Sequence, residues 1–347
     1  MGKNKQSRRR GYILMKLSKI VLMALITIIF LGLILYFLSI SEDNSFKKLN
    51  GRIVFQSDRG NEKCEIYSLE KEGIKYMFEG ASPDFSSDGR FLVYISINQR
   101  KNENDNIAIY DFKNNKKELL DTGKMYISRF SIPVFSPNQK KIAFKSSKNN
   151  FDNIFIYDLE SFSITQVTQF TETEKRKGLT IDDIEWSPDG SYIYFKVFKT
   201  GLFKIKIETQ EIDLILSYKE WPISGFDLSQ DDNLLVFSGY GNAIEENYKQ
   251  KKDNIYALSL ESGEIKQITK DGKTKEATVL SPDGTKICYY AFRNKSPFVG
   301  SELYMYDLET KKEYKLTETK RSGLLGLFNG MSTDKYPTWG KKYEENI

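Results

Sequence analysis

The 347-residue chain has no histidine. That absence removes Ser-His-Asp and Cys-His nucleophile systems and every metal site built on imidazole. Cysteine is almost missing as well. Cys64 and Cys288 stand alone, without the paired spacing of metal or redox motifs. They sit in or beside strand-like runs of different segments, and a disulfide needs Cα atoms within about 7 Å, so buried small hydrophobes fit them better than a bridge. There is no G-x-S-x-G elbow, no G-x-G-x-x-G and no P-loop. Proline is scarce, with 8 residues, whereas Tyr (21) and Phe (23) are abundant, the composition of a β-rich globular body rather than of a disordered tail.

The net charge of +5 is concentrated at one end. Residues 1–19 carry seven basic side chains (Lys3, Lys5, Arg8, Arg9, Arg10, Lys16, Lys19) and no acid. Without them 45 basic side chains face 47 acidic ones, so the main body has no global attraction to nucleic acid. Residues 20–40, "IVLMALITIIFLGLILYFLSI", hold no charge and as a helix would span about 31 Å, the thickness of a bilayer core. The basic flank precedes this run and Glu42 and Asp43 follow it. By the positive-inside rule the expectation is a single-pass cell-membrane protein with a cytoplasmic N-terminus and the body outside. A cleaved signal peptide ending near Ser39–Ser41 is the alternative, but signal h-regions run only about 7–15 residues. The expected organisation is a cytoplasmic tail (1–19), a transmembrane signal-anchor helix (20–40), a linker (41–50), a β domain (51–341) and a short tail (342–347).

The β domain repeats. "FSSDG" (85–89), "FSPNQ" (135–139), "WSPDG" (186–190), "LSQDD" (228–232) and "LSPDG" (280–284) recur at intervals of 42 to 52 residues, and "PTWGK" (337–341) ends the series. A period near 50 belongs to solenoids and propellers. In each S-P-D-G, Pro presets φ, Asp suits the next position, and Gly takes a left-handed conformation that lets a hairpin re-enter its ladder. Asp88, Asp189 and Asp283 therefore read as turn-formers. After each turn come three strand-like runs, as in "YIYFKV", "LFKIKIE" and "IDLILS" (192–217), and with the short run before the turn they make four strands per period. Four antiparallel strands per repeat is a propeller blade. The first run of the domain, "GRIVFQS" (51–57), reads as a second strand. Its missing first strand is "YPTWGK" (336–341), so the predicted fold is all-β: a six-bladed propeller of four-stranded blades with a C-terminal strand closing blade one.

The pattern resembles the TolB-type, WD40-like propeller repeat, P-x-W-S-P-D-G followed by I-x-F-x-S, I-Y-x-x-D-L and L-T. Pro83, Pro133 and Pro337 match its proline, Trp186 and Trp339 its tryptophan, and Thr168, Thr269 and Thr317 its threonine. The resemblance covers residues 51–341. It implies a periplasmic-type binding or scaffold module, a peptidase gate, or part of a lyase. Without a G-x-S-x-G elbow no peptidase domain is expected after the propeller, the histidines with which propeller lyases hold metal are missing, and the sialidase Asp-box differs from S-P-D-G.

Two groups of residues are candidates for function. In an all-β wheel the first strand of each blade lines the central channel. One residue before each aromatic or leucine stand Asp84, Glu185 and Asp227, with Asp182 and Asp183 just upstream. Together these acids could hold Ca²⁺ or a cationic group, shift one another's pKa values, or remain a solvated acidic funnel. The second group is the long connections of one face, 240–253, 293–301 and 320–334. There Tyr240, Tyr248, Lys251, Lys252, Phe298, Leu324, Leu327 and Phe328 suggest a contact for a protein or cell-envelope partner, although the apolar 323–331 stretch could equally cap the last blade. The expected function is non-enzymatic binding, with no resident cofactor and no nucleic-acid partner. A carboxylate-based hydrolase or lyase at the channel, or a Ca²⁺-dependent binder, is the alternative.

Overall fold

The computed structural model describes residues 48–343 except 60–63, 99–103, 148–151, 172–179, 242–252, 271–273, 293–299 and 320–332, together with Met23, Thr27 and 29–31. The chain divides into two units, Met1–Ser45 and Phe46–Ile347. In the first, the expected transmembrane helix and the single-pass membrane location inferred from it require correction. Among the described residues no helix is long and apolar enough to cross a membrane. Only Met23, Thr27 and 29–31 are described there, all helical; the remainder of 20–40 lies outside the described residues. An apolar run sets a solvent preference, whereas spanning a bilayer also needs about 20 residues of continuous apolar helix.

The second unit is all β. Its strands are β1 (Arg52–Ser57), β2 (Glu65–Glu70) and β3 (Gly73–Glu79); β4 (Ala81–Phe85), β5 (Phe91–Ser96), β6 (Asn106–Asp111) and β7 (Lys116–Leu119); β8 (Val134–Phe135), β9 (Lys141–Ser146), β10 (Asn153–Asp158) and β11 (Ile164–Gln166); β12 (Ile181–Trp186), β13 (Tyr192–Val197), β14 (Gly201–Lys206) and β15 (Ile212–Ser217); β16 (Ile223–Leu228), β17 (Leu234–Gly239), β18 (Asn254–Ser259) and β19 (Ile265–Gln267); β20 (Lys275–Leu280), β21 (Lys286–Phe292), β22 (Ser301–Asp307) and β23 (Lys312–Lys315); and β24 (Asp334–Gly340). Five sheets are consecutive antiparallel meanders. The remaining sheet has the order β24-β1-β2-β3. Ile53 pairs with Trp339 and Val54 with Thr338, so the C-terminal strand closes the ring as the repeat requires.

Six buried clusters lie between successive sheets, and each contains the residue that precedes a turn or its equivalent. Phe85 packs between blades one and two, Phe135 between two and three, and Trp186 between three and four. Leu228, Leu280 and Trp339 fill the next three seams, the last joining blade six to blade one. Leu49 is buried in that seam, and Asn50 accepts a 2.8 Å hydrogen bond from Trp339 Nε1. Cys64 and Cys288 are both free.

The five turns share one geometry. The serine hydroxyl donates to the turn Asp or Asn, as from Ser187 to Asp189 (2.6 Å) and from Ser136 to Asn138 (2.8 Å). The same oxygen accepts the N–H five residues on, that of Tyr192 at 2.9 Å in blade four. The left-handed position holds Gly89, Gly190 and Gly284, or Gln139 and Asp232 where glycine is absent. The threonines of the L-T signature also have a structural use. Thr168 Oγ1 accepts the Ile154 N–H and Thr269 Oγ1 that of Ile255, supplying acceptors beside the short outer strands β11 and β19.

Candidate functional site

The first strand of every blade, β4, β8, β12, β16, β20 and β24, faces the ring's axis. Two cavities open along it. One, of about 600 Å³, lies toward the long connections; the other, of about 920 Å³, lies toward the S-P-D-G turns. Asp84, Glu185, Asp227, Val279 and Thr338 line both and form the waist of the channel. The structure thus brings together all five acids expected there, because Asp182 and Asp183 line the first cavity.

Two of these acids are tied to the next blade. Asp84 Oδ2 accepts the Phe135 N–H at 3.0 Å, and its Oδ1 accepts from Thr338. Asp227 Oδ2 accepts the Leu280 N–H at 2.6 Å and its Oδ1 that of Leu228. An innermost strand has no neighbour on the channel side, so its orphan N–H groups need other acceptors. Each carboxylate supplies one and staples blade two to three or five to six.

Burial dominates the ionisation of the site, since the channel offers less water than bulk solvent. It pushes Asp84 up to about 7 and Asp227 to about 6, against the backbone N–H bonds that favour their charged forms. It pushes Asp183 to about 7. Glu185 rises well above the ordinary range by burial, helped by the charges of Asp84, Asp227 and Asp183. Asp182 is also raised by burial, although Lys196 Nζ lies 3.4 Å from its Oδ2 and opposes the shift. Asp84, Glu185 and Asp227 meet at the waist, so the protonation of each depends on the others.

The sequence reading missed two buried lysines in this wall. Lys145 Nζ donates to Ile181 O at 2.8 Å and Lys196 Nζ to Ser224 O at 2.7 Å, each reaching the first strand of the following blade. A signal was present: both follow a phenylalanine near the end of an otherwise apolar second strand ("AFKS", "YFKV"). Also missed was an aromatic rim. Phe130 (58 % exposed), Phe198 (47 %) and Tyr336 (43 %) join the expected Tyr240 (41 %) around the 600 Å³ cavity, from four different blades or connectors. Tyr248, Lys251, Lys252, Phe298, Leu324, Leu327 and Phe328 lie outside the described residues. Among the described residues no group of three or more Cys, Asp or Glu side chains could hold a metal ion.

No protein-family profile matches the chain, and no curated protein matches it. Solved structures do. TolB from Acinetobacter baumannii superposes with a TM-score of 0.62 at 16 % identity, over 84 % of this chain and 66 % of that one. A TolB candidate from Agrobacterium tumefaciens gives 0.58 at 14 %, over 77 % and 88 %. The fold is TolB-like. An oligogalacturonate lyase in complex with manganese shares the architecture, with a TM-score of 0.52 at 12 % identity over 80 % of this chain and 77 % of that one. At these identities the likeness concerns the fold. The TolB-like propeller described here departs from an imidazole-ligated metal site by having no histidine at all.

Proposed function

We propose that the TolB-like propeller is a binding module that engages a protein or cell-envelope partner through the face carrying the long connections. The observation behind this reading is the rim of exposed aromatic residues, Phe130, Phe198, Tyr240 and Tyr336, around a concave cavity on a closed, rigid ring. Exposed aromatics around a preformed cavity give large contact area at small entropic cost, as binding sites require. Cross-linked capture by the full chain tests it. Replacing Phe130 and Phe198 together with Asp should abolish the captured species while thermal unfolding stays cooperative; an unchanged capture profile would reject this face.

The raised carboxylates at the waist favour a second reading, carboxylate-based hydrolysis or elimination on a glycan or lactone. A lyase with the same fold adds support. Asp84 and Asp227 nonetheless serve as staples, which limits their freedom as acid or base. A screen of such substrates with the full chain, in which turnover disappears in Asp183→Asn and Glu185→Gln but not in Phe130→Asp, would favour catalysis over binding.

A further inference from the structure

The outer strand of each blade has no strand beyond it among the described residues, so the wheel carries six sheet edges with unpaired backbone groups. Five of them are guarded. β11 and β19 have only three residues each. β7 and β23 have four, two of them lysines in each case. β3 is long, but it opens on Gly73 and carries Lys75. The outer strand of blade four differs from all of these. β15 has six residues, IDLILS, with no lysine, proline or glycine, and its Ile212 and Leu214 are 43 % and 55 % exposed. A long, apolar, unguarded edge is a template for one more strand. Its bonding groups point the right way. Lys206 donates its N–H to Glu211 O at 2.9 Å, so Glu211 faces β14. Alternation along an antiparallel ladder then turns the N–H and C=O of Ile212 and Leu214 outward.

The cross-strand pairs already present specify what the next strand must carry. On one face of the β14–β15 pair, Ile205 stands opposite Ile212 and Phe203 opposite Leu214. On the other face, Lys204 stands opposite Asp213, and Lys206 meets Glu211 through the bond just described. The Lys204–Asp213 ion pair is loose, at 3.9 Å, and the Asp213 side chain is 65 % exposed. Continuing each row outward places apolar residues beside Ile212 and Leu214 and cations beside Glu211 and Asp213. Self-pairing of two copies fits less well. With Ile212 opposite Ile212 or opposite Leu214, it sets acid against acid. An edge of six residues, about 20 Å long, also covers less area than a stable dimer of folded bodies needs.

We propose that β15 is a second docking site, taking as a fifth strand of blade four an extended segment of a partner protein in which basic and apolar residues alternate. The site lies on the outer edge of a blade and is independent of the aromatic rim.

The test uses the full chain and three capped, fluorescently labelled heptapeptides: KVKIKVK, its acidic counterpart EVEIEVE, and KVKPKVK, in which proline interrupts the strand. Fluorescence anisotropy should show saturable binding of the first, with the other two weaker by about tenfold or more, since one reverses the charge and the other removes a backbone donor. Glu211→Gln combined with Asp213→Asn should weaken KVKIKVK by about threefold to tenfold, the scale of two cross-strand charge pairs. Leu214→Pro should weaken it by about tenfold, because it removes an outward N–H while leaving the ladder to β14 intact. If Leu214→Pro does not fold, Leu214→Lys decides in its place by setting a cation against the basic strand. The Phe130/Phe198 double variant should bind KVKIKVK as the unaltered chain does, which separates failure of this site from failure of the rim. No saturable binding of KVKIKVK, equal binding of KVKPKVK or EVEIEVE, or no effect of the β15 substitutions would overturn the proposal. Sedimentation showing a dimer that Leu214→Lys dissolves would overturn it in favour of a second copy of the chain.

Discussion

Serine and the left-handed residue decide each turn, but identical turns do not carry identical loads. Gly89 and Gly284 occupy the same position at φ +73° and +67°. A Cβ on Gly284 would meet nothing within 4 Å, whereas one on Gly89 would fall 2.0 Å from the carbonyl oxygen of Lys341, just beyond the closing strand. Gly284→Ala should therefore cost only the left-handed strain, about 1–2 kcal/mol. Gly89→Ala should cost clearly more, because backbone at the ring closure must move. Urea unfolding of the two variants measures this difference, and equal losses would contradict the placement of Lys341 over the first turn. The turn aspartates are spent locally. Bonds from Ser187 and Ser191 hold Asp189 below the usual carboxylate range, and bonds from Ser229 and Asn233 do the same for Asp231, which leaves neither suited to proton transfer near neutrality.

The element that matters most is β24. Without it β1 would be an exposed edge and the seam between blades six and one would lie open. Trp339 packs in that seam, 7 % exposed and bonded to Asn50 O. Trp339→Ala should cost about 3–5 kcal/mol, the range for deleting a buried aromatic. Differential scanning calorimetry should show a lower Tm with one cooperative transition; an unchanged Tm would mean the ring does not depend on this clasp. This strand was legible in the sequence because "PTWGK" repeats the motif and the first blade visibly lacked a strand. The staples were not, since whether Asp84 reaches the Phe135 N–H depends on the spacing of neighbouring blades, which no local pattern encodes.

For the molecule as a whole, pH should act in two opposite directions. Asp84, Asp183 and Asp227 have folded-state values raised to about 7, 7 and 6, with Glu185 and Asp182 also raised by burial, beside Lys145 and Lys196 in the same wall. Between the unfolded value near 3.9 and these folded values the native state binds more protons than the unfolded chain. Stability is therefore greatest at the lower edge of that window and falls as pH rises through about 6–7. Groups lowered by partners act oppositely. Asp111, taken down to about 2 by Arg90, contributes stability that is lost as pH falls below about 4. Thermal unfolding at constant ionic strength should give a Tm higher at about pH 5 than at about pH 8, and Asp183→Asn should flatten that decline. A Tm that rises steadily from about pH 5 to 8 would show that the waist acids are not buried as described.

The blade count, the turn positions, the strand that closes the ring and the five acids lining the channel can all be read along the chain. Those depend on short-range patterns of turn chemistry and alternation, repeated often enough to be read without three-dimensional context. What the acids do, where Lys145 and Lys196 end, and the gathering of Phe130, Phe198, Tyr240 and Tyr336 at one mouth follow from the folded ring alone. Residues far apart in sequence, such as Lys145 and Ile181 or Asp84 and Phe135, become neighbours only when the blades pack into the ring. Burial, which raises Asp183, is a property of that closed ring and not of any segment of it.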